Sequence, residues 1–247
     1  MTFSWKIGDR TVTKKRGSIL RPMNPVAGTS LASMRTQFDK MESRWLDTDL
    51  CESLKDVLTA RVLKSGHGIS NCIIFGSGSF CGDELHWVDR HESAYYQIAA
   101  FKTVVDMIQQ IQGHRPPCYA QEPCYNDLDA EFLAGLSITK MDHPEGFGLL
   151  NRDSFTYSPA AEPEVELQIL FYRPAVWLHR SLDHLSPEAR LRDTEPTKDE
   201  HELNFQMAES FTRNRERVEL PGLNLKNFPF HKSMIWWKGQ SQLDTAP

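Results

Sequence analysis

The 247-residue sequence predicts an α/β fold, Rossmann-like and three-layered, with a mainly parallel sheet. Three observations predict it. Ile69-Ser70-Asn71-Cys72-Ile73-Ile74-Phe75 is a short apolar run bounded by glycines, the pattern of a strand buried on both faces. It passes directly into a glycine loop, Phe75-Gly76-Ser77-Gly78-Ser79-Phe80. Beyond that loop, helix-like and strand-like segments alternate with short connections, which implies right-handed crossovers between parallel strands.

Residues 1–30 are polar and broken by Pro22, Pro25 and Gly28, and read as a flexible tail ahead of one α/β domain over 31–240. The domain opens with Met34, Phe38, Met41 and Trp45 at helical spacing, with Ser30 as candidate N-cap. Leu50, Leu54, Leu58 and Val62 mark a second helix, closed by Gly66 and Gly68. After the first strand and its loop, Ile98, Phe101, Val105 and Ile108 share one face of a strong helix that starts near Glu92 and ends at Gly113. Strands follow at 117–121, 137–141 and 154–157, with a short helix from Asn126 to Leu136 between the first two.

Val165 to Phe171 is apolar enough for a strand or a helix; its opening, Glu162-Pro163-Glu164, suits a helix first turn, where acidic residues meet the positive end of the helix dipole. Arg173 to Leu178 reads as a further strand, and 185–201 as an exposed charged loop. A helix over Glu202–Arg217 and a strand from Ser233 to Trp237 complete the reading; Trp236 and Trp237 read as core, with an exposed contact surface as the alternative.

A net charge of −5 gives no general attraction to nucleic acid or anionic lipid. No apolar run is long enough to span a bilayer, and the N-terminus lacks a secretory core. The expectation is a cytoplasmic protein; Lys14-Lys15-Arg16 is the one candidate nuclear signal. Cys51, Cys72, Cys81, Cys118 and Cys124 are odd in number and show no CxxC spacing, so buried free thiols are expected rather than a disulfide framework or a metal site. Cys118 and Cys124 flank a strand end, the one place where two thiols could meet.

A glycine at a strand end lets the backbone turn sharply and approach a ligand, and a helix starting there favours an anion. Gly76, Ser77, Gly78, Ser79 and Phe80 are the candidate binding loop on this ground. The third glycine of a dinucleotide fingerprint is absent, since Cys81 stands there, and the helix starts about ten residues late. That turns the loop into evidence for fold more than for a particular cofactor. Glu122 occupies the second strand's tip, where an acid holds ribose hydroxyls in dinucleotide binders; the other reading is an exposed acid before a proline.

Glu145, His143 and Glu162 lie in loops at the same predicted edge, and Glu145 joins the candidate set. No nucleophile elbow, Walker loop or HExxH motif is present, so no catalytic residue is assigned. His179, His184 and His231 stand singly and read as structural. Cys81, His86 and His91 are the haem-ligand candidates by proximity alone. The cofactor is unassigned, and the candidate partners are a small-molecule or nucleotide-like ligand and a protein.

Together, Ile73 to Phe80, the helix segment Tyr96-Gln97-Ile98-Ala99-Ala100-Phe101 and the strand end Ala120 to Asn126 resemble the sensitivity-to-red-light-reduced (SRR-like) domain. Glu145-Gly146-Phe147 and Phe155-Thr156-Tyr157-Ser158-Pro159 match its closing part, and Pro229-Phe230-His231 is similar to filamentous-fungal members. The usual aspartate before the proline is Glu122 here. The resemblance implies a Rossmann-like fold close in topology to methyltransferases. For function it implies a regulatory or signalling role, linked in relatives to red-light and circadian signalling or to cytoskeletal and haem-related regulation. The alternative is a small-molecule enzyme with a Rossmann-like site, methyltransferase-like or from a secondary-metabolite pathway. The glycine turn and the acidic strand tip favour that alternative; Ile74 and Phe75, where such a turn often has an acid, weaken it.

Overall fold

The computed structural model describes residues 2–7, 10–15, 21–63, 68–83, 88–159, 161–185, 198–213, 215–223, 230 and 232–239. Strands β1 (Thr2–Ile7) and β2 (Arg10–Lys15) pair antiparallel as a separate hairpin, Thr2 opposite Lys15 and Ile7 opposite Arg10. The segment expected to be irregular therefore holds regular structure. Phe3, Trp5 and Ile7 alternate with Ser4 and Lys6, and this strand signal is masked in a composition reading by the breakers further on.

Helix α1 (Leu31–Leu46) starts at Ser30, whose Oγ accepts from Ser33 N while Ser33 Oγ accepts from Ser30 N, a reciprocal cap. Its buried face is Met34, Phe38, Met41 and Trp45, as the spacing predicts. Helix α2 (Asp49–Val57) is capped by Thr48 and runs into a π-helical turn over Leu58–Val62. Then come β3 (Asn71–Phe75), α3 (Val88–Gln112), β4 (Cys118–Gln121), α4 (Asp127–Gly135) and β5 (Thr139–Met141). The second half runs β6 (Ser154–Tyr157), α5 (Pro163–Tyr172), β7 (Val176–Arg180), α6 (Lys198–Thr212), β8 (Arg215–Glu219) and β9 (Ser233–Lys238).

The C-terminal part also departs from the sequence reading. Helix α6 begins four residues early and stops at Thr212, and the stretch assigned to its end is instead β8. The Arg-Glu-Arg-Val-Glu run has no apolar stripe to reveal it; it pairs by its backbone and leaves Glu216, Arg217 and Glu219 exposed, as edge strands do, while Arg215 turns in to the carbonyls of Ala175 and Arg173. Of the expected charged loop over 185–201, residues 186–197 fall outside the described residues, as do Arg16, Gly66, His86 and His231, while 198–201 are the first turn of α6 rather than loop.

Seven strands form one sheet in the order β5-β4-β3-β6-β7-β9-β8. The first five are parallel, and β9 runs antiparallel between β7 and β8. Counted from β3, the order is 3-2-1-4-5-7-6 with the last strand reversed. From β3 the chain moves outward to β4 and β5, then returns to β6 on the other side. The crevice between β3 and β6 is thus a topological switch point, where open α/β sheets bind ligands at the carboxyl ends of their strands.

Helices α1 to α4 cover one face and α5 and α6 the other, each over its own apolar cluster. Along β3 the side chains alternate between them: Cys72 and Ile74 face α3, while Ile73 and Phe75 face α5. Trp236 and Trp237 are buried at 1% and 2% exposure, in opposite clusters.

Candidate functional site

Gly76 and Gly78 both take positive φ, +77° and +79°, the left-handed conformation that lets the chain double back off β3. The loop lies against the start of the α5 connection: a Cβ on Gly76 would meet the Ala161 backbone at 3.8 Å. Gly76 N–H donates to the Gln121 carbonyl at 3.1 Å, which ties the loop to the tip of β4.

The loop's polar groups are claimed by side chains from the next strand and helix. Gly78 N–H donates to Glu122 Oε2 at 3.2 Å, and Cys124 N–H donates to Glu122 Oε1 at 3.1 Å. Ser77 Oγ bonds Tyr125 Oη. Ser79 Oγ donates to Asp129 Oδ2 at 2.7 Å, and Phe80 N–H donates to Asp129 Oδ1 at 3.0 Å. Asn126 caps α4, its Oδ1 accepting from Asp129 N, while Asp129 Oδ2 accepts from Asn126 N at 3.0 Å. Asp129 is therefore both a helix-cap partner and the anchor of the glycine loop, with its whole residue buried. Phe80 stacks on Tyr125 at 5.6 Å and meets Phe132 at 4.8 Å, which locks the end of the loop into the core.

Two carboxylates thus sit where an anion-binding loop would need open amides. Burial pushes both above the ordinary carboxyl range; at Glu122 the amides of Cys124 and Gly78 oppose it, and at Asp129 the donors from Ser79, Asn126 and Phe80 do so. A phosphate brought to this loop would meet negative charge and backbone donors already engaged. Glu122 keeps acceptor capacity, because a carboxylate offers about four lone-pair positions and the two amides occupy one on each oxygen.

Glu145 lies apart from this group. It is exposed, at the start of the 3-10 turn Glu145–Leu149 that follows β5. Its loop reaches the site through Gln121 instead: Gly146 N–H donates to Gln121 Oε1 at 2.7 Å, and Gln121 Nε2 lies 3.2 Å from His143 Nδ1. A side chain at position 146 would strike Gln121 Oε1 at 2.8 Å, so it would displace the Gln121 amide that joins this loop to β4. Burial lowers the His143 pKa. Glu162 stands exposed at the N-cap of α5.

The other wall of the crevice holds residues that sequence reasoning missed. His179, Glu166 and Ser158 are fully buried between the sheet and α5. His179 Nε2 lies 2.9 Å from Glu166 Oε1, and the same oxygen accepts from Arg180 Nε at 2.9 Å and Nη2 at 2.6 Å. His179 Nδ1 lies 2.7 Å from the Ser158 carbonyl and 3.0 Å from Ser158 Oγ, to which Trp177 Nε1 donates at 2.8 Å. The imidazole stacks on Trp177 at 4.4 Å. The available signal was the spacing of Trp177, His179 and Ser158, which places all three on one sheet face. A histidine inside an apolar strand gives no hint of a glutamate on the covering helix.

All five cysteines are buried free thiols. Cys118 pairs in register with Cys72, and Cys124 is a strand's length away. Cys81 Sγ lies 3.5 Å from Asp129 Oδ1 and 3.7 Å from Asn126 Oδ1, and its pKa is pushed up to about 11, mainly by burial. His91 Nε2 sits 2.9 Å from the Gly82 carbonyl. Of the haem-ligand candidates, then, Cys81 is a buried thiol held against a carboxylate, His91 is engaged with backbone, and His86 lies outside the described residues.

The SRR1 domain profile matches residues 39–237. The chain belongs to the SRR1 domain family. The match takes in both walls of the crevice, from the glycine loop to β9. No curated protein matches the chain. Among solved structures, a putative O-methyltransferase from Klebsiella pneumoniae aligns at 9% identity and a TM-score of 0.43, covering 87% of this chain and 92% of that one. An O-methyltransferase from Bacillus cereus in complex with SAH aligns at 10% identity and 0.37, covering 85% and 92%. The Rossmann-like fold of this SRR1-family chain stands on its own strand order. Among its described residues no helix is long and apolar enough to cross a membrane.

Proposed function

We propose that this SRR1-family chain is a regulatory protein whose Rossmann crevice takes a nucleoside-like small molecule rather than a phosphate-bearing dinucleotide. The observation that carries the reading is Glu122, a carboxylate fixed at the tip of β4 by the amides of Gly78 and Cys124. Vicinal hydroxyls of a ribose would donate to its remaining lone pairs, the role an acid plays at this position in nucleotide-binding sheets. The same carboxylate, together with Asp129, makes the loop hostile to pyrophosphate.

The regulatory half of the proposal rests on connection. A ligand that pulls on Glu122 pulls on Gly78, and the loop is joined through Ser79 and Phe80 to Asp129 and the cap of α4. Occupancy of the crevice is thereby coupled to the position of a surface helix, where a protein partner would read it.

A second reading, a methyltransferase-like enzyme, is favoured by the strand order with its reversed last strand. Calorimetric titration separates the readings. Adenosine and S-adenosylmethionine should give saturable heat, ATP and NAD much less, and Glu122→Gln should weaken the first two by about tenfold, the equivalent of one good hydrogen bond. Absence of heat with every nucleoside would sink the proposal. Transfer of a labelled methyl group from S-adenosylmethionine to any acceptor in an extract would replace it with the enzymatic reading.

A further inference from the structure

Two buried polar atoms on the α3 side of the sheet have no hydrogen-bond partner among the described residues. Tyr157 ends β6 and is 1% exposed, Gln97 lies on α3 and is 4% exposed, and neither Tyr157 Oη nor Gln97 Oε1 finds a partner there. A buried polar atom that has left water and found nothing calls for an occupant of its own.

The two belong to one layer. Phe101 of α3 stacks on Phe155 of β6 at 5.9 Å, which sets helix and strand side by side at that height. Gln97 is four residues before Phe101, hence on the same helix face and about 6 Å nearer the helix N-terminus. Tyr157 is two residues after Phe155, hence on the same sheet face and about 6.6 Å nearer the strand's carboxyl end. Because α3 returns the chain between the parallel strands β3 and β4, it runs against them, and both steps lead toward the crevice. Tyr157 is also the register partner of Ile74, two residues below Gly76. Phe230 stacks on the Tyr157 ring at 6.4 Å and Ile98 and Phe101 are fully buried nearby, so the surroundings are apolar.

We propose that Gln97 and Tyr157 form a buried subsite, below the glycine loop, for the uncharged amino group of the crevice ligand. The proposal rests on the nucleoside reading above and adds which end of the ligand faces inward. Gln97 Oε1 only accepts and so requires an N–H or O–H from the ligand; Tyr157 Oη accepts a second. A primary amino group on a heteroaromatic ring supplies both hydrogens from one atom. An ammonium fits poorly, because an apolar layer would strip its hydration without a facing carboxylate. With the amino end at this subsite and the hydroxyls at Glu122, the ligand spans β3 from below its loop to the tip of β4.

The test compares adenosine with purine riboside, which carries hydrogen in place of the amino group, by calorimetry on the full chain. Adenosine should bind about tenfold more tightly. Tyr157→Phe and Gln97→Leu should each erase most of that preference while leaving purine riboside unchanged, and Tyr157→Phe should raise the Tm of the free protein by removing an unpaired hydroxyl. Equal binding of the two nucleosides, still weakened by Glu122→Gln, would overturn the subsite and leave the nucleoside reading standing. A preference that survives both substitutions, or a Tm rise with no change in preference, would assign the two atoms to a void or a water and overturn the subsite as well. Binding of neither nucleoside would overturn both readings. Tyr157→Phe deletes one oxygen, so it decides the matter even where Gln97→Leu fails to fold.

Discussion

The two walls of the crevice each bury a carboxylate and satisfy it in opposite ways. Asp129, under the glycine loop, is surrounded by neutral donors: a serine hydroxyl and the amides of Phe80 and Asn126. Glu166, under the β6–α5 connection, is surrounded by a guanidinium and an imidazole. Neutral donors fix geometry but bring no compensating charge, so burial still raises Asp129's pKa. Glu166 has a formal partner in Arg180, whose side chain is 41% exposed and remains hydrated. The first wall is held by direction and the second by charge, and the two should fail under different conditions.

The comparison breaks most visibly at Asp129→Ala. That change orphans Ser79 Oγ, Phe80 N–H and Asn126 N–H together, two of them in the loop and one at a helix cap, and should cost about 3–5 kcal/mol in urea unfolding. Glu166→Gln should cost less, about 2–3 kcal/mol by the same measurement, because Arg180 can turn toward water while His179 keeps the Ser158 carbonyl. The size order of these two losses is the sharpest check on the contrast.

Backbone strain gives a smaller effect. Gly78 has open space around a Cβ, so its φ of +79° alone decides the outcome. Gly78→Val should cost about 2 kcal/mol, and Gly78→Asn less than half of that, since asparagine tolerates the left-handed region. Near-equal losses would mean that space, not backbone conformation, selects glycine there.

The mildest effect is in pH. Burial raises Asp129's carboxyl above its unfolded value, so the native state binds the proton more tightly than the unfolded chain. Its contribution is fully present below the ordinary carboxylate pKa and is lost as pH rises through the raised folded value. The stability of the wild type relative to Asp129→Asn should therefore increase on acidification across that window, measured as paired Tm values. A gap that shrinks on acidification would show that the neutral donors outweigh burial.

The sequence displayed the parts of the fold governed by periodicity. The α1 stripe from Met34 to Trp45, the apolar β3 and the exact span of β6 follow from residue spacing and burial. β8 was hidden because an edge strand needs no apolar face, and the N-terminal hairpin because its alternating segment is short. Among the candidate residues, glycine spacing pointed to the turn at Gly76 to Phe80 and strand order to Glu122 at a strand tip; that Glu122 bonds Gly78 N–H is visible only in the structure. Asp129 was not, since its partner Ser79 is 50 positions away and a helix-capping acid looks the same whatever else it binds. The His179–Glu166 pair was hidden for the same reason, across two elements whose crossing is set only by tertiary packing.

The rims of the sheet differ as much as the walls of the crevice. On one side the sheet ends in β5, only three residues long. On the other it ends in β8, where Arg215 donates to the carbonyls of Ala175 and Arg173, Arg217 lies over Trp236 at 5.1 Å, and Glu216 and Glu219 face outward. A neighbouring chain seeking to add a strand finds too little backbone at one rim and too much charge at the other. Charge on an edge strand opposes strand-by-strand association, so neutralising Glu216, Arg217 and Glu219 should open the backbone of β8 to pairing with a second copy.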